Sequence, residues 1–342
     1  MRVWHVERTP LSAPAIRYPP VMSIVSGPAL PDAPSDPVGD PSGEENPRRL
    51  QLSFSRVDTY QTCPLKYRFA YIDKLPTQPS PQLSWGSSIH AALEFWWGQK
   101  LPEPPSVEAL LQALYDHWDD SGFEGMARDE KLKWYRYAQD VLRRHYERFA
   151  VSYAPAVASE AWFELDLGDD IVVMGSIDHV ERTPSGGIGI VDWKTNRRAK
   201  TRKQVAASLQ LAIYALAAVE LWGHEPDWVA LDFVVSGVRV TMPRREIDTD
   251  RALGTIRAVA TRVREHLFPA EPNRLCQWCD YRNVCPAFQG EGPDVAGLAV
   301  VELERLRRRR ERDETRIAYL ESLIRDRLGT DVTIHAIPPQ EG

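Results

Sequence analysis

Gly175-Ser176-Ile177-Asp178 and, further along, Ile190-Val191-Asp192-Trp193-Lys194 are two apolar runs, each interrupted by an acid where a core strand would hold valine or leucine. Both read as short strands, rich in β-branched or alternating residues and bounded by Gly/Asp and Thr-Pro-Ser-Gly-Gly turns. With a side-chain period of two, Asp192 and Lys194 project to one face and Val191 and Trp193 to the other. If the two strands are neighbours, Asp178, Asp192 and Lys194 meet at one end of a sheet.

Working outward, the pattern predicts strands over 161–167, 171–180 and 187–193, then a helix over 205–221 that is apolar on most faces. Segments 228–235 and 238–247 pair as a hairpin about Ser236-Gly237, and Asp250 caps a helix running to about 267. Upstream, Ser55 with Asp58 reads as an N-cap with a capping-box acid. Tyr60, Leu65, Phe69 and Ile72 follow at helical spacing, and further helices are expected over 85–97, 107–118 and 131–150. The expected fold class is α/β of an α+β-like kind: a mixed sheet flanked by helices, with a helical first half. Residues 1–47 hold ten of the 27 prolines among Ser, Gly, Asp and Ala. Such a stretch buries too little apolar surface to offset its ordering entropy, so a disordered tail over 1–50 is expected.

The chain has 342 residues, 43% of them hydrophobic and 26% charged, which excludes global disorder, collagen and a coiled-coil rod. No apolar run approaches the ~20 residues of a membrane helix and no signal-peptide pattern opens the chain, so a cytoplasmic protein is expected. The net charge of −6 speaks against a non-specific nucleic-acid binder until the charges are located. Residues 103–130 contain eight acids and one base, whereas 194–203 carries Lys194, Arg197, Arg198, Lys200, Arg202 and Lys203 with no acid. The acidic total then reads as a peripheral helical insertion, about 99–153, and the basic stretch as the rim of a phosphate-binding site.

Two carboxylates a few ångströms apart repel unless a divalent cation lies between them. Such a cation keeps positions for water and a phosphate oxygen, and a neighbouring lysine can hold the attacking water. That is the outline of a phosphodiester-hydrolysing site, although a D-x-K on a strand is commonly a solvated face. Gln210 and Tyr214 share a helix face and could reach the same end of the sheet; such a pair is more often surface plus core. His90, in Gly86-Ser87-Ser88-Ile89-His90, stands in a helix rich in Ala, Leu, Phe and Trp, a setting that more often holds a core histidine than a ligand.

The chain has four cysteines, three of them in Cys276-x-x-Cys279-x₅-Cys285 and the fourth, Cys63, near the start. Three within ten residues point to a soft metal centre, either structural zinc or a [4Fe–4S] cluster. The single C-x-x-C knuckle favours the cluster, which would clasp the two ends of the domain.

Taken together, these motifs resemble the RecB-like branch of the PD-(D/E)XK nuclease superfamily, in particular its iron–sulfur members, represented by the AddB nuclease domain and the CRISPR-associated adaptation nucleases. The resemblance runs from Ser53 to Ala287. It includes the segment around Cys63, Gly86…His90, Gly175-x-Ile-Asp178, Ile190-Val-Asp-Trp-Lys-Thr195, Gln210-x-x-x-Tyr214 and the Cys276–Cys285 loop. It implies a restriction-endonuclease-like core over 51–290, with His90, Asp178, Asp192 and the Trp193 carbonyl as ligands of Mg²⁺ or Mn²⁺. Lys194 would position or activate water, Gln210 and Tyr214 would orient the site, and Cys63, Cys276, Cys279 and Cys285 would hold the cluster. The family often has Glu where Asp192 stands, so the metal would shift slightly. Arg197, Arg198, Lys200, Arg202 and Lys203 would contact DNA.

The implied activity is a metal-dependent DNA exonuclease of repair or end-processing. A CRISPR adaptation nuclease and a non-catalytic Cys₄-metal DNA-binding scaffold are the alternatives. No G-x-x-x-x-G-K-[ST] occurs, so any helicase motor would be supplied in trans. A last helix, about 298–330, carries Arg305 and Arg307–Arg310 ahead of Ile317, Leu320, Leu323, Ile324 and Leu328. Its arginines read as a solvated face, with a phosphate-contacting arm or a short coiled coil as the other readings.

Overall fold

The computed structural model describes residues 49–288 apart from Gln78, together with a few positions between Leu303 and Ala318. The Pro-rich tail before Arg49 lies outside the described residues, and of the expected helix over 298–330 only those few positions are described, each of them helical.

Six strands form one mixed sheet: β1 (Leu50–Leu52), β2 (Ala158–Asp166), β3 (Ile171–Arg182), β4 (Ile188–Lys194), β5 (Trp228–Phe233) and β6 (Val238–Pro243). β3 is the longest and is shared among three partners. β2 runs antiparallel along it, β1 lies parallel to its first residues, and β4 pairs antiparallel with its last, His179 to Arg182. β4 then pairs in parallel with β5, and β5 with β6 as a hairpin whose turn needs Gly237 at φ 70°. The mixed α/β architecture expected from the change of period is therefore present.

Eight α-helices flank the sheet among the described residues: α1 (Phe54–Thr62), α2 (Pro64–Tyr67), α3 (Pro81–Gly98), α4 (Val107–Asp116), α5 (Arg128–Phe149), α6 (Arg202–Ala206), α7 (Leu209–Trp222) and α8 (Thr249–Arg264). Several boundaries differ from the sequence reading. Ser53, not Ser55, caps α1, accepting from the Arg56 N–H. The expected continuous helix through Tyr60 and Ile72 breaks at Cys63, which is extended because Pro64 follows it and opens α2. A π-helical turn, Arg68–Ile72, then leaves Ile72 exposed while Phe69 is buried. The expected helix over 205–221 is two, because the Ser208 hydroxyl caps α7 afresh. The cap of α8 is Asp248 rather than Asp250.

The helical insertion is not peripheral. Val191 and Trp193 of β4 are fully buried in one core with Ile89, Leu93, Trp96 and Trp97 of α3, Leu110 and Leu114 of α4, and Val141 and Leu142 of α5. The acidic stretch is the outer surface of this layer; its apolar side covers the strand that carries Asp192 and Lys194.

Candidate active site

The backbone ladder between β3 and β4 ends at the His179–Val191 pair, although β4 continues beside β5 as far as Lys194. Past that point Trp193 offers its N–H to the Asp178 carboxylate at 2.8 Å. Where β3 and β4 part, a side chain replaces a strand as hydrogen-bond partner, and the two acids stand at the fork. Asp192 is 1% exposed and Asp178 8%.

Lys194 Nζ lies 2.6 Å from Asp192 Oδ2. Asp192 Oδ1 is buried without a donor, and Oδ2 meets only this ammonium. Lys194 also donates to Gln210 Oε1 at 2.8 Å, and Gln210 donates to the Tyr214 hydroxyl at 3.0 Å. The helix face expected to reach the end of the sheet does so: α7 delivers a two-link chain that fixes the lysine. His90 Nδ1, from α3, is 3.5 Å from Asp178 Oδ2. Gly86 eases the close approach of α3, since a Cβ there would sit 3.1 Å from the Thr195 hydroxyl and that side chain would have to give way.

The electrostatics follow from burial and crowding. Burial, then the charges of Asp192 and Glu160, push the Asp178 carboxyl well above its usual range; the Trp193 N–H and Lys194 oppose this. Burial holds His90 below the ordinary imidazole value, against the pull of Asp192. Burial and both aspartates push the Tyr214 phenol well above 10. A site that raises a carboxyl by crowding it with others is short of positive charge.

Two further acids bear on the site. Glu160, which in the sequence reads as a solvated strand start with an extra acid near the site as the other reading, is half-buried in β2 and acts electrostatically on His90, Glu94, Asp178 and Tyr214. Its φ of 47° is left-handed, unusual for a strand residue without a glycine's freedom. Glu94, one turn after His90 on α3, is raised by burial and then by Glu160. Only the strand register exposes Glu160, whereas the i, i+4 spacing from His90 could have signalled Glu94.

The basic rim is divided. Arg198, Lys200 and Lys203 are exposed and carry no ion pair among the described residues, whereas Arg197 lies 5.8 Å over the Tyr137 ring of α5. Arg202, expected to contact DNA, is bound to Glu246 at 3.1 Å and to the Thr241 carbonyl. It braces α6 against β6.

Among the described residues no group of three or more His, Cys, Asp or Glu is drawn close enough to hold a metal ion. The donor set still suits a hard cation, because Asp192 presents a buried oxygen, Oδ1, without a donor beside the crowded Asp178. All four cysteines line one open cavity. None is in a disulfide, and Leu65, Phe69, Tyr281 and Val284 pack around Cys63, Cys279 and Cys285. The Asn273 N–H donates to Cys276 Sγ at 3.2 Å, and burial raises the Cys279 thiol. A four-iron cluster spreads its thiolates more widely than a single ion does, so the shared cavity is compatible with it.

A model of the PD-(D/E)XK nuclease superfamily matches residues 51–286, well over half of the chain and all of this site. The chain belongs to the PD-(D/E)XK nuclease superfamily. The Gene 69 protein of Mycobacterium phage D29 is 28% identical over 272 residues, 69% of this chain and 97% of that one. A subunit of the ATP-dependent helicase/deoxyribonuclease of Streptococcus pyogenes (serotype M49) is 28% identical over 154 residues, 43% of this nuclease-superfamily chain. That match spans 14% of the longer protein. The crystal structure of SSO0001 aligns over 72% of this chain and 90% of its own at 16% identity, with a TM-score of 0.35, too loose a likeness to carry an argument. No described helix is long and apolar enough to cross a membrane.

Proposed function

We propose that the chain is a divalent-cation-dependent DNA nuclease whose site is built from His90, Asp178, Asp192, Lys194, Gln210 and Tyr214, within a nuclease domain over 51–290. The carrying observation is the fork of β3 and β4, where two buried acids face a lysine held by Gln210 inside the segment that matches the superfamily. The deoxyribonuclease in the name of the S. pyogenes relative supports DNA as substrate, and the helicase in that name supports a motor partner.

Asp178 and Asp192, with His90 and the Trp193 carbonyl, would hold Mg²⁺ or Mn²⁺. When bound, the cation neutralises charge developing on the phosphate and acidifies a water. Lys194 is placed to hold the attacking water and to counter the charge on a phosphate oxygen. Gln210, fixed by Tyr214, limits the lysine to one position, and Arg197, Arg198, Lys200 and Lys203 hold flanking phosphates. Imidazole is softer than carboxylate, so Mn²⁺ should serve at least as well as Mg²⁺.

The cysteines would hold a [4Fe–4S] cluster, with structural zinc as the alternative. The group would join the α1–α2 junction to the C-terminal loop as a structural staple. The shared cavity and the N–H bond to Cys276 support this.

The test is incubation of purified protein with linear and circular single-stranded DNA, with and without Mn²⁺ or Mg²⁺. Cation-dependent degradation is expected, restricted to the linear substrate for an exonuclease of repair or end-processing. No hydrolysis of either DNA under any cation contradicts the proposal.

A further inference from the structure

We propose that the outer face of α5 forms the second wall of the nucleic-acid track, opposite the basic segment after β4. The inference rests on the nuclease reading and deepens it, because it assigns a substrate-binding surface to an insertion that otherwise only covers β4.

α5 carries seven Lys/Arg against four Asp/Glu, in contrast to the acidic stretch before it. Two of those cations are engaged within the insertion, Lys131 with Asp120 and Lys133 with Asp129. Arg148 is committed to the buried Asp232 of β5. Arg136, Arg143 and Arg144 are exposed and have no ion pair among the described residues. Arg136 and Arg143 are seven residues apart and form one row; Tyr137 and Arg144 form the next. Asp140 and Glu147 are the exposed acids on the same turns, so the patch remains net positive.

The placement of this patch is fixed at both ends. At one end the Tyr137 ring lies under Arg197 and stacks on Trp85, 5.2 Å between centroids and 9° between planes. Trp85 adjoins Gly86, which packs against Thr195, and His90 is one turn further along α3. At the other end Arg148 is bonded to Asp232, and its guanidinium lies close to Gly237 in the hairpin turn. Arg144 stands between these anchors, two turns or about 10 Å from Tyr137. The unpaired arginines of α5 and Arg198, Lys200 and Lys203 of the 195–203 segment therefore flank one approach to the fork of β3 and β4. Unpaired cations on both sides of a hydrolytic site suit the phosphates of a nucleic-acid strand.

The experiment measures binding of fluorescein-labelled oligothymidylate and of a duplex hairpin to the full chain in EDTA, where no cleavage intervenes, over a salt series. Arg136→Glu/Arg144→Glu should weaken binding at least tenfold. It should also flatten the slope of log K against log[salt] by roughly 0.7 for each single-strand phosphate that the variant no longer neutralises. Weaker binding of either probe supports the track and tells which strand form it carries. Lys133→Glu, on a cation already paired within α5, should bind as the wild type does. Wild-type affinity and slope in Arg136→Glu/Arg144→Glu, alongside weakened binding by Arg198→Glu/Lys200→Glu, would overturn the role of α5 and leave the nuclease reading intact. A wild-type chain that neither binds nor cleaves DNA would overturn both.

Discussion

Asp178 shows how the site trades stability for chemistry. It accepts the Trp193 N–H, yet burial and the neighbouring Asp192 and Glu160 oppose its charge. Asparagine at this position keeps an oxygen for the N–H and removes the repulsion. In EDTA, Asp178→Asn should raise stability in urea by on the order of 1 kcal/mol while abolishing hydrolysis; a destabilised variant would show that crowding is not what raises the carboxyl. Gln210 acts through another residue, since its oxygen accepts from Lys194. Gln210→Ala should lower kcat by roughly 10- to 100-fold with the cation requirement unchanged, and Gln210→Glu should recover part of it. At this scale strand period put Asp192 and Lys194 on one face and helix spacing put Gln210 and Tyr214 on another, while only the family resemblance joined them to Asp178. Glu160 was legible only as the weaker of two readings, because its left-handed backbone breaks the alternation on which a strand reading depends, and Glu94 was not legible.

At the level of elements, α3 and α5 meet the sheet through a stack of rings. Trp97 donates to His145 Nε2 at 3.3 Å, His179 lies 4.4 Å from the Trp97 ring, and His179 stacks on Trp193 at 5.6 Å. Burial pushes His145 well below the usual imidazole range and also lowers His179. The unfolded chain protonates both below about pH 6.5, whereas the folded chain resists. Their contribution to stability is therefore present above that pH and lost as pH falls through it. Glu181 adds a second window. Burial alone would raise it, but the nearby His179 ring, 3.5 Å away, and Arg239 hold it at about 2. Its contribution is present above about pH 4.5 and is lost toward pH 2. Melting curves from pH 8 to 3 should show two successive declines, and His145→Gln should weaken the first; a flat profile between 7 and 5 would contradict the buried neutral imidazoles. The strands were legible as elements because short apolar or β-branched runs are bounded by Gly, Asp, Ser and Pro turns. The three-residue β1 was too short to register, and Cys63-Pro64 was a break in plain view that the apolar spacing of Tyr60, Leu65 and Phe69 bridged over.

For the whole molecule, the two ends of the nuclease domain meet at the cysteine cavity, where Cys63 and the 276–285 loop come from opposite ends of the described chain. A group held there closes a loop of more than 200 residues, so its loss should loosen α1 and α2 together. Cys63→Ser should yield colourless protein with a lowered melting temperature if the group is iron–sulfur. Unchanged colour, metal content and stability would remove the staple. The net charge of −6 proved a poor guide because charge acts locally: the acids cover the outside of the helical layer, while unpaired cations flank the fork. The central claim is that the fork of β3 and β4 is the hydrolytic site, and it is tested most directly by cleavage of end-labelled single-stranded DNA in Mn²⁺. Wild-type protein should degrade the strand, and folded Asp192→Asn and Lys194→Ala should each lose at least a thousandfold in rate. Wild-type rates in both variants would contradict the account.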